Sequence, residues 1–343
     1  MTAEALFAGP VRYAAEPPEA RGLARDQVRL LVARPGTVEH TRFCDLPASL
    51  RPGDLVVVNT SATLAAAVDG HRAGAPVTVH FSAALPDGTW AVELRPGRRA
   101  DGPVEGVRPG DVVELAGGRI VVASAYPDET VRDSRLWRVR TLIPAPVPSY
   151  LRRHGRPIAY SYVPDDWPLE SYQTVFAVDE GSAEMPSAGR PFTDRMVTAL
   201  VTAGVVLAPV TLHAGVSSAE AGEPPFPEPY QVSAQTARLV EHTKVHGGRV
   251  VAVGTTVTRA LETVADEDGR VGPGSGWTDL VLGPDRPARV VDGLVTGWHD
   301  AGASHLLLLE AVAGRELVAS AYAEAQAEGY LWHELGDAAL LLP

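Results

Sequence analysis

Continuous apolar runs in both halves of the chain predict strands that are buried on both faces. The clearest runs are LVVVN at 55–59, VVLAPVTLH at 205–213 and RVVAVG at 249–254. Helical patterns open at Thr193–Asp194 and cover 233–246, about 256–265 and two segments between 304 and 327. Strands that alternate with helices in this way predict a sheet covered by helices.

The pattern of residues 70–145 differs, because its apolar runs are short and turn dipeptides separate them. The runs are VTVHF, WAVEL, DVVEL, RIVVA and LWRVR, with Asp87–Gly88 and Gly117–Gly118 among the turns. Several short strands at this spacing predict a small β-barrel. IPAPVPSY at 143–150 follows, and we expect neither helix nor strand there, because proline lacks the amide hydrogen and restricts the residue before it.

These patterns together predict an α/β protein in which an all-β barrel domain is inserted into a larger domain. The α/β domain would be discontinuous, comprising residues 1–68 and 146–343, and would carry the ligand site. The barrel would comprise residues 69–145, and the proline-rich stretch would mark the junction between the two domains.

Composition narrows the classes of partner. The 343 residues include 30 Lys plus Arg against 42 Asp plus Glu, a net charge of -12. Such a balance argues against non-specific binding of DNA or anionic lipid, because that binding depends on phosphate neutralisation. The single Cys44 excludes an intramolecular disulfide and a multi-cysteine metal site. With no signal-peptide pattern in the first ten residues and no run of roughly 20 apolar residues, we expect a cytoplasmic protein outside the membrane.

The clearest candidate ligand site is GTTVTRALE at 254–262, which directly follows an apolar run. Thr255 and Thr256 would open a helix whose amino end favours a carboxylate or phosphate. Arg259 and Glu262 share a helical face and would hold opposite ends of a zwitterion such as an amino acid. A threonine-capped helix with an ordinary surface ion pair explains the same string equally well.

Two further candidates follow other predicted strands. His213 in TLHAG lies at a strand exit, where α/β sheets place ligands, and is a candidate base. Trp298 would present an aromatic face to an organic cation such as a sulfonium, with His299 beside it. Histidine and tryptophan are also ordinary core residues, so position alone leaves both interpretations open. The loop at 179–195 would either wrap a ligand or form an irregular surface loop.

Nine strings together resemble the S-adenosylmethionine:tRNA ribosyltransferase-isomerase family of the queuosine pathway. They occur in family order over nearly the whole chain: DLPASLRPGDLVVVN, WAVELRPGRR, PVPSYLRR, SYQTVFA, GSAEMPSAGRPFT, VTLHAG, RVVAVGTTVTRALE, GWTDLVL and LGDAALLL. The resemblance implies a barrel-like α/β domain with an inserted β-barrel. It also implies transfer and rearrangement of the ribosyl group of S-adenosylmethionine onto a 7-aminomethyl-7-deazaguanine base in tRNA, with release of methionine and adenine.

The resemblance also implies roles for individual residues. His213 would remove a proton from the C5′ carbon beside the sulfonium, and His299 would be the proton donor. The substrate-binding residues would be Tyr172, Gln173, Gly181, Ser182, Thr193, Thr255, Thr256, Arg259 and Trp298. S-adenosyl-L-methionine enters as a substrate, and no metal is expected.

Several polar groups of the family are missing from this chain. Asn59 is followed by Thr-Ser-Ala at 60–62 where the family has Asp-Thr-Arg. Arg-Pro-Phe at 190–192 replaces Leu-His-Phe, Val-Ser-Ser at 216–218 replaces a Gly-Thr-Phe stretch, and the loop after Trp298–His299 lacks a Pro and a Lys. Loss of one such group typically raises the activation free energy by about 2 to 4 kcal/mol where the group stabilises charge in the transition state.

The departures favour a divergent S-adenosylmethionine-dependent transferase, isomerase or lyase. It would break bonds at the sulfonium and use a small-molecule acceptor or an intramolecular rearrangement. The alternative is the orthodox tRNA enzyme that forms epoxyqueuosine, which the coverage and the arginines of LRPGRR and LRRHGR favour. A third hypothesis is a catalytically inactive protein that binds S-adenosylmethionine or RNA.

Overall fold

The computed structural model describes residues 11–99, 102–131, 134–217, 223–300 and 303–343. Ser218 and the amino-terminal segment assessed for a signal peptide lie outside these ranges. The strands are β1 (Arg12–Tyr13), β2 (Arg29–Arg34), β3 (Thr37–Arg42), β4 (Leu55–Asn59), β5 (Ser61–Thr63), β6 (Ala67–Arg72), β7 (Ala75–Ala84), β8 (Trp90–Arg95), β9 (Val112–Leu115), β10 (Gly118–Tyr126), β11 (Leu136–Leu142), β12 (Asp179–Ser182), β13 (Val206–Leu212), β14 (Glu228–Val232), β15 (Val250–Val253), β16 (Gly274–Thr278), β17 (Gly293–Thr296), β18 (Leu331–Trp332) and β19 (Ala338–Leu341). The α-helices are α1 (Leu46–Ser49), α2 (Val147–His154), α3 (Asp194–Thr202), α4 (Ala234–Val245), α5 (Thr255–Thr263), α6 (Ser304–Ala313) and α7 (Arg315–Ala327). Short 3-10 helices cover Arg25–Gln27, Phe43–Asp45, Leu169–Tyr172 and Ser187–Gly189.

The larger sheet has nine strands in the order β16-β14-β13-β4-β15-β17-β19-β2-β3. Its central strands β13, β4, β15 and β17 are parallel neighbours. Along β4, Leu55 and Val57 join a core with α4 to α7, while Val56 and Val58 join a second core with α3. Because both faces of this strand are covered, its sequence is a continuous apolar run without polar alternation.

A second sheet is a closed barrel of six antiparallel strands in the order β10-β11-β8-β7-β6-β9. Its strands run from Ala67 to Leu142, and Val79, Phe81 and Val92 are among the side chains that fill its interior. A helix-covered sheet beside an antiparallel β-barrel confirms the predicted fold class. The domain limits at 69 and 145 stay a prediction.

The proline-rich stretch differs from the expectation of no helix. Residues 143–146 are irregular, but α2 begins at Val147, with Pro146 as its N-cap and Pro148 in its first turn. Proline is tolerated there because the first amide groups of a helix have no intrahelical acceptor to bond. The expectation was therefore wrong for residues 147–150.

The parallel central strands bring distant parts of the chain to one edge of the larger sheet. Asn59 ends β4, His213 follows β13, Thr255 follows β15, and Trp298 comes shortly after β17. The Asn59 side chain donates to the carbonyl of Leu212 at 2.8 Å. Within the described ranges, no helix is long and apolar enough to cross a bilayer.

Candidate active site

A cavity of about 700 Å³ lies at this edge of the larger sheet. Its walls include the loops that follow β13, β15 and β17, Arg95 of the barrel strand β8, most of residues 157–162, and residues 183–188. The volume is that of a small-molecule site. Its position is the one at which open α/β sheets bind ligands, outside the carboxyl ends of parallel strands.

Six of the predicted catalytic and substrate-binding residues line this cavity: Tyr172, Thr255, Thr256, Arg259, Trp298 and His299. Thr255 and Thr256 form the first turn of α5, whose N-cap is Gly254 with φ of 94°. Glycine adopts this left-handed conformation without strain, and it lets the chain turn directly from β15 into the helix. The turn places the amino end of a helix, which attracts anions, on the cavity wall.

The guanidinium of Arg259 is held by the protein around it. Nε donates to the carbonyl of Leu280 at 3.1 Å, and Nη2 donates to the carbonyls of Thr278 at 3.1 Å and Phe226 at 3.3 Å. Nη1 donates to the carboxylate of Glu228. These bonds fix the position of the charge, and most of its donors are already used.

Glu262 does not form the predicted clamp with Arg259. Its side chain is fully buried and accepts the backbone N–H groups of Arg289, Val290 and Val291 at 2.8 to 3.1 Å. The expectation failed because the carboxylate of Glu262 turns to a loop beneath the helix and satisfies amide groups that would otherwise be unpaired. Arg259 is instead paired with Glu228, which the sequence analysis did not single out.

His299 is stacked on a second histidine that the sequence analysis missed. The rings of His299 and His305 are 4.5 Å apart between centroids and 5° from parallel, and both line the cavity. Burial lowers the pKa of His299 well below its usual value and lowers the pKa of His305 to about 4. Both rings are therefore neutral at pH 7. The sequence around His305 indicated only a helix, and the residue does lie in the first turn of α6.

His213 lies just outside the residues that line the cavity. Its Nδ1 is 2.7 Å from Oγ of Ser61, and that oxygen is 2.6 Å from Oγ of Ser182. Oγ of Ser182 also accepts the N–H of Ala214 at 2.9 Å. A Cβ on Gly181 would overlap the His213 ring, so only glycine fits there. These contacts form a hydrogen-bonded cluster, the Ser61–Ser182–His213 cluster, directly behind the cavity wall.

Gln173 and Thr193 do not line the cavity themselves, and their side chains bond to the backbone of the protein. The Gln173 amide pairs with the backbone of Thr63, accepting its N–H at 3.0 Å and donating to its carbonyl at 2.8 Å. Thr193 is the N-cap of α3 and accepts the N–H of Met196 at 3.3 Å. The proposed substrate contacts of these residues, and of those in the Ser61–Ser182–His213 cluster, stay predictions.

Carboxylates outnumber arginines on the cavity wall. The carboxylates are Glu184, Glu228, Asp300 and Glu334. Arg95 and Arg259 also line it, but Arg95 is paired with Glu93 at 2.9 Å and Arg259 with Glu228. Burial raises the pKa of both Glu228 and Glu334. This excess of carboxylates over arginines favours a cationic ligand. The local sequence pattern did not indicate the excess.

Four aromatic residues form another part of the lining, the aromatic wall: Tyr13, Tyr160, Tyr162 and His333. Tyr162 and His333 are stacked at 4.3 Å between centroids, and Tyr13 is stacked on His333 at 5.0 Å. The hydroxyl of Tyr162 donates to Oε2 of Glu334 at 2.7 Å, and that of Tyr13 donates to Oδ1 of Asp300 at 3.1 Å. The wall therefore joins flat rings to two of the carboxylates.

Two polar atoms of the lining have no hydrogen-bond partner in the described part of the chain. They are the hydroxyl of Tyr172 and the indole Nε1 of Trp298, both buried. Burial also raises the pKa of Tyr172 to about 12, so this hydroxyl keeps its proton. An unpaired buried polar group costs free energy, so the protein itself leaves these two positions of the lining unsatisfied.

Comparison with known proteins gives one consistent result. Residues 7–341 match the family described as queuosine biosynthesis protein. The chain is 37% identical to the S-adenosylmethionine:tRNA ribosyltransferase-isomerase of Acidiphilium cryptum, over 97% of this chain and 96% of that protein. It is 35% identical to the enzyme of the same name from Symbiobacterium thermophilum, over 93% and 94%. Among solved structures, it resembles an S-adenosylmethionine tRNA ribosyltransferase from Thermotoga maritima, with 29% identity and a TM-score of 0.53 over 98% of this chain and 99% of that one.

Proposed function

The chain belongs to the queuosine biosynthesis protein family, and from this membership we propose that it is an S-adenosylmethionine:tRNA ribosyltransferase-isomerase. It would transfer and isomerise the ribosyl group of S-adenosylmethionine onto a 7-aminomethyl-7-deazaguanine base in tRNA. The observation that carries the proposal is the extent of the similarity, which reaches 97% of the chain at 37% identity. The similarity therefore covers both the larger sheet and the barrel.

The similarity favours tRNA over a small molecule as the acceptor. The loss of polar family groups favoured a small molecule, but two of the positions that depart from the family have structural partners here. Ser61 bonds to His213 within the Ser61–Ser182–His213 cluster. Arg190 is buried and donates to Glu19 and to the carbonyl of Ser171, both at 2.8 Å. Residues that replaced family groups are thus integrated into the fold.

The charges of the cavity suit S-adenosylmethionine. Its sulfonium and ammonium groups are cations, and the carboxylates Glu184, Glu228 and Asp300 face the same space. Its carboxylate would lie at the amino end of α5, beside Thr255 and Thr256. Trp298 also lines this cavity, but its ring is 1% exposed and packs against Tyr322 and Trp332, so its contact with the sulfonium stays a prediction.

The proton step would use His299 in place of His213. The sulfonium acidifies the hydrogens on the adjacent C5′ carbon, and a neutral imidazole is the form that accepts a proton. His299 lines the cavity and is neutral because it is buried beside His305. His213 would be a positioning residue, since the Ser61–Ser182–His213 cluster holds the segments before Ala183 and after His213 that form the cavity wall.

The test is turnover on tRNA that carries the 7-aminomethyl-7-deazaguanine base. We expect adenine and methionine to appear in equal amounts, together with a matching increase in the mass of the modified nucleoside. The same tRNA with guanine at that position is the control and should give neither product. Release of adenine or methionine without tRNA would instead favour the small-molecule acceptor, and tight binding of S-adenosylmethionine without any product would favour an inactive binding protein.

A further inference from the structure

The aromatic wall has the geometry of a platform for a planar ligand. Its rings are nearly parallel, with 13° between Tyr162 and His333 and 24° between Tyr13 and His333. Tyr13 is 42% exposed while lining the cavity, so part of the stack remains open to a ligand. All nucleobases stack on tyrosine and histidine rings, because each base has a flat aromatic face.

The platform is held rigidly at His333. This residue has φ of 69°, in the left-handed region that non-glycine residues rarely adopt. Its Nε2 is 3.0 Å from Oδ2 of Asp300, whose other oxygen accepts the Tyr13 hydroxyl. One carboxylate therefore fixes two rings of the stack, which lowers the entropy lost when a ligand binds against them.

Two carboxylates, Asp300 and Glu334, lie at the edges of the stacked rings and accept tyrosine hydroxyls there. The Tyr162 hydroxyl donates to Oε2 of Glu334 at 2.7 Å, and this carboxylate lines the cavity. A guanine-type base presents N1–H and N2–H₂ side by side, two donors that match the two oxygens of a carboxylate. Adenine presents one donor group next to the N1 acceptor, which a carboxylate repels.

The unpaired hydroxyl of Tyr172 independently indicates that a polar ligand belongs at this wall. It is buried, lines the cavity and lies close enough to Glu334 for the charge of that carboxylate to raise its pKa further. A hydroxyl donor beside a carboxylate acceptor complements a base edge that carries both donors and an oxygen.

We propose that the aromatic wall, with Glu334 at its edge, is the subsite for a guanine-type base. Under the proposed function this base is the acceptor in tRNA, and the adenine of S-adenosylmethionine lies elsewhere in the cavity. The inference rests on the proposed function for the identity of the base, but binding of the free base does not require turnover.

The test measures binding of free 7-aminomethyl-7-deazaguanine by calorimetry, with adenine and S-adenosylmethionine as separate ligands. Tyr13→Leu removes the ring, and we expect it to weaken binding of the deazaguanine about tenfold, as loss of a stacking ring does. Tyr13→Phe keeps the ring and should restore most of the affinity. Glu334→Gln keeps an acceptor for Tyr162 but loses the paired oxygens, and should weaken binding about tenfold or more.

The matched control is Glu324→Gln, because Glu324 lies on α7 outside the cavity lining and pairs with the partly exposed His40. It should bind all three ligands like the wild type. Equal affinity of every variant for the deazaguanine, or no binding of that base by the wild type at millimolar concentration, would overturn the inference. So would a loss of adenine or S-adenosylmethionine affinity in Tyr13→Leu with deazaguanine binding unchanged. Turnover on tRNA with any of these results would leave the proposed function intact.

Discussion

His305 stacks on His299 with 5° between the ring planes, which places two neutral imidazoles face to face in one cavity. Neutrality follows from burial, which lowers the pKa of His305 to about 4, with smaller effects from Arg259 and His333. In the unfolded chain the imidazole has a pKa of about 6.5. Because the pKa of His305 is lower in the folded protein, the free energy of unfolding depends on pH in the acidic range.

Between pH 6.5 and pH 4, the unfolded chain binds a proton at His305 that the folded chain does not. Proton binding at His305 therefore does not lower the free energy of unfolding well above pH 6.5. As the pH falls toward 4 it lowers that free energy progressively, by about 2 kcal/mol between pH 7 and pH 5. Urea unfolding of the wild type and of His305→Gln at both pH values measures it. The variant should lose less free energy of unfolding on acidification, and an identical loss would contradict the neutral buried imidazole.

Glu228→Gln tests the ion pair that orients Arg259. Removing the negative charge leaves a nearly buried guanidinium without its counter-charge, and we expect unfolding to become easier by about 3 kcal/mol. We also expect a higher KM for S-adenosylmethionine under the proposed function. Glu267→Gln, at an exposed position after α5, is the control and should change neither quantity. Denaturant midpoints equal to the wild type would argue against the pair.

Gly181→Ala should destabilise the protein by about 1 to 3 kcal/mol, because the added Cβ would overlap the ring of His213. Gly272→Ala is the matched control, since a Cβ there meets no atom within 4 Å. In the double variant Gly181→Ala with His213→Ala, the overlap is removed and the two effects should be less than additive. Additive losses in thermal unfolding would show that the two residues are not in contact.

Glu262→Gln separates a structural role from a substrate contact. The buried carboxylate accepts three backbone N–H groups, and its replacement should lower the free energy of unfolding by about 2 kcal/mol. The KM for S-adenosylmethionine should not change, because Glu262 is absent from the cavity lining. A raised KM with unchanged stability would restore the zwitterion clamp with Arg259.

Local patterns predicted the parts of the site that depend on the end of a strand. Thr255, Trp298 and His299 do lie at the cavity, because a buried run followed by a turn is a local feature and parallel strands end at one edge. His213 satisfied the same rule, but its ring contacts Ser61 behind the wall. Side chains alternate between faces along a strand, so the side to which the next residue points depends on where the strand ends, which the run itself does not specify.

The amino-acid sequence by itself determined the family, the fold class and the buried central strands, since each follows from residues that are close in the chain or from strings in a fixed order. Only the tertiary structure decided which side chains meet. Tyr13 stacks on His333 and Glu228 pairs with Arg259 because strand order and loop packing join segments that are distant in sequence. Neither contact produces a periodic pattern in the sequence. The type of a residue, whether aromatic or hydrogen-bonding, does not specify which distant residue it contacts.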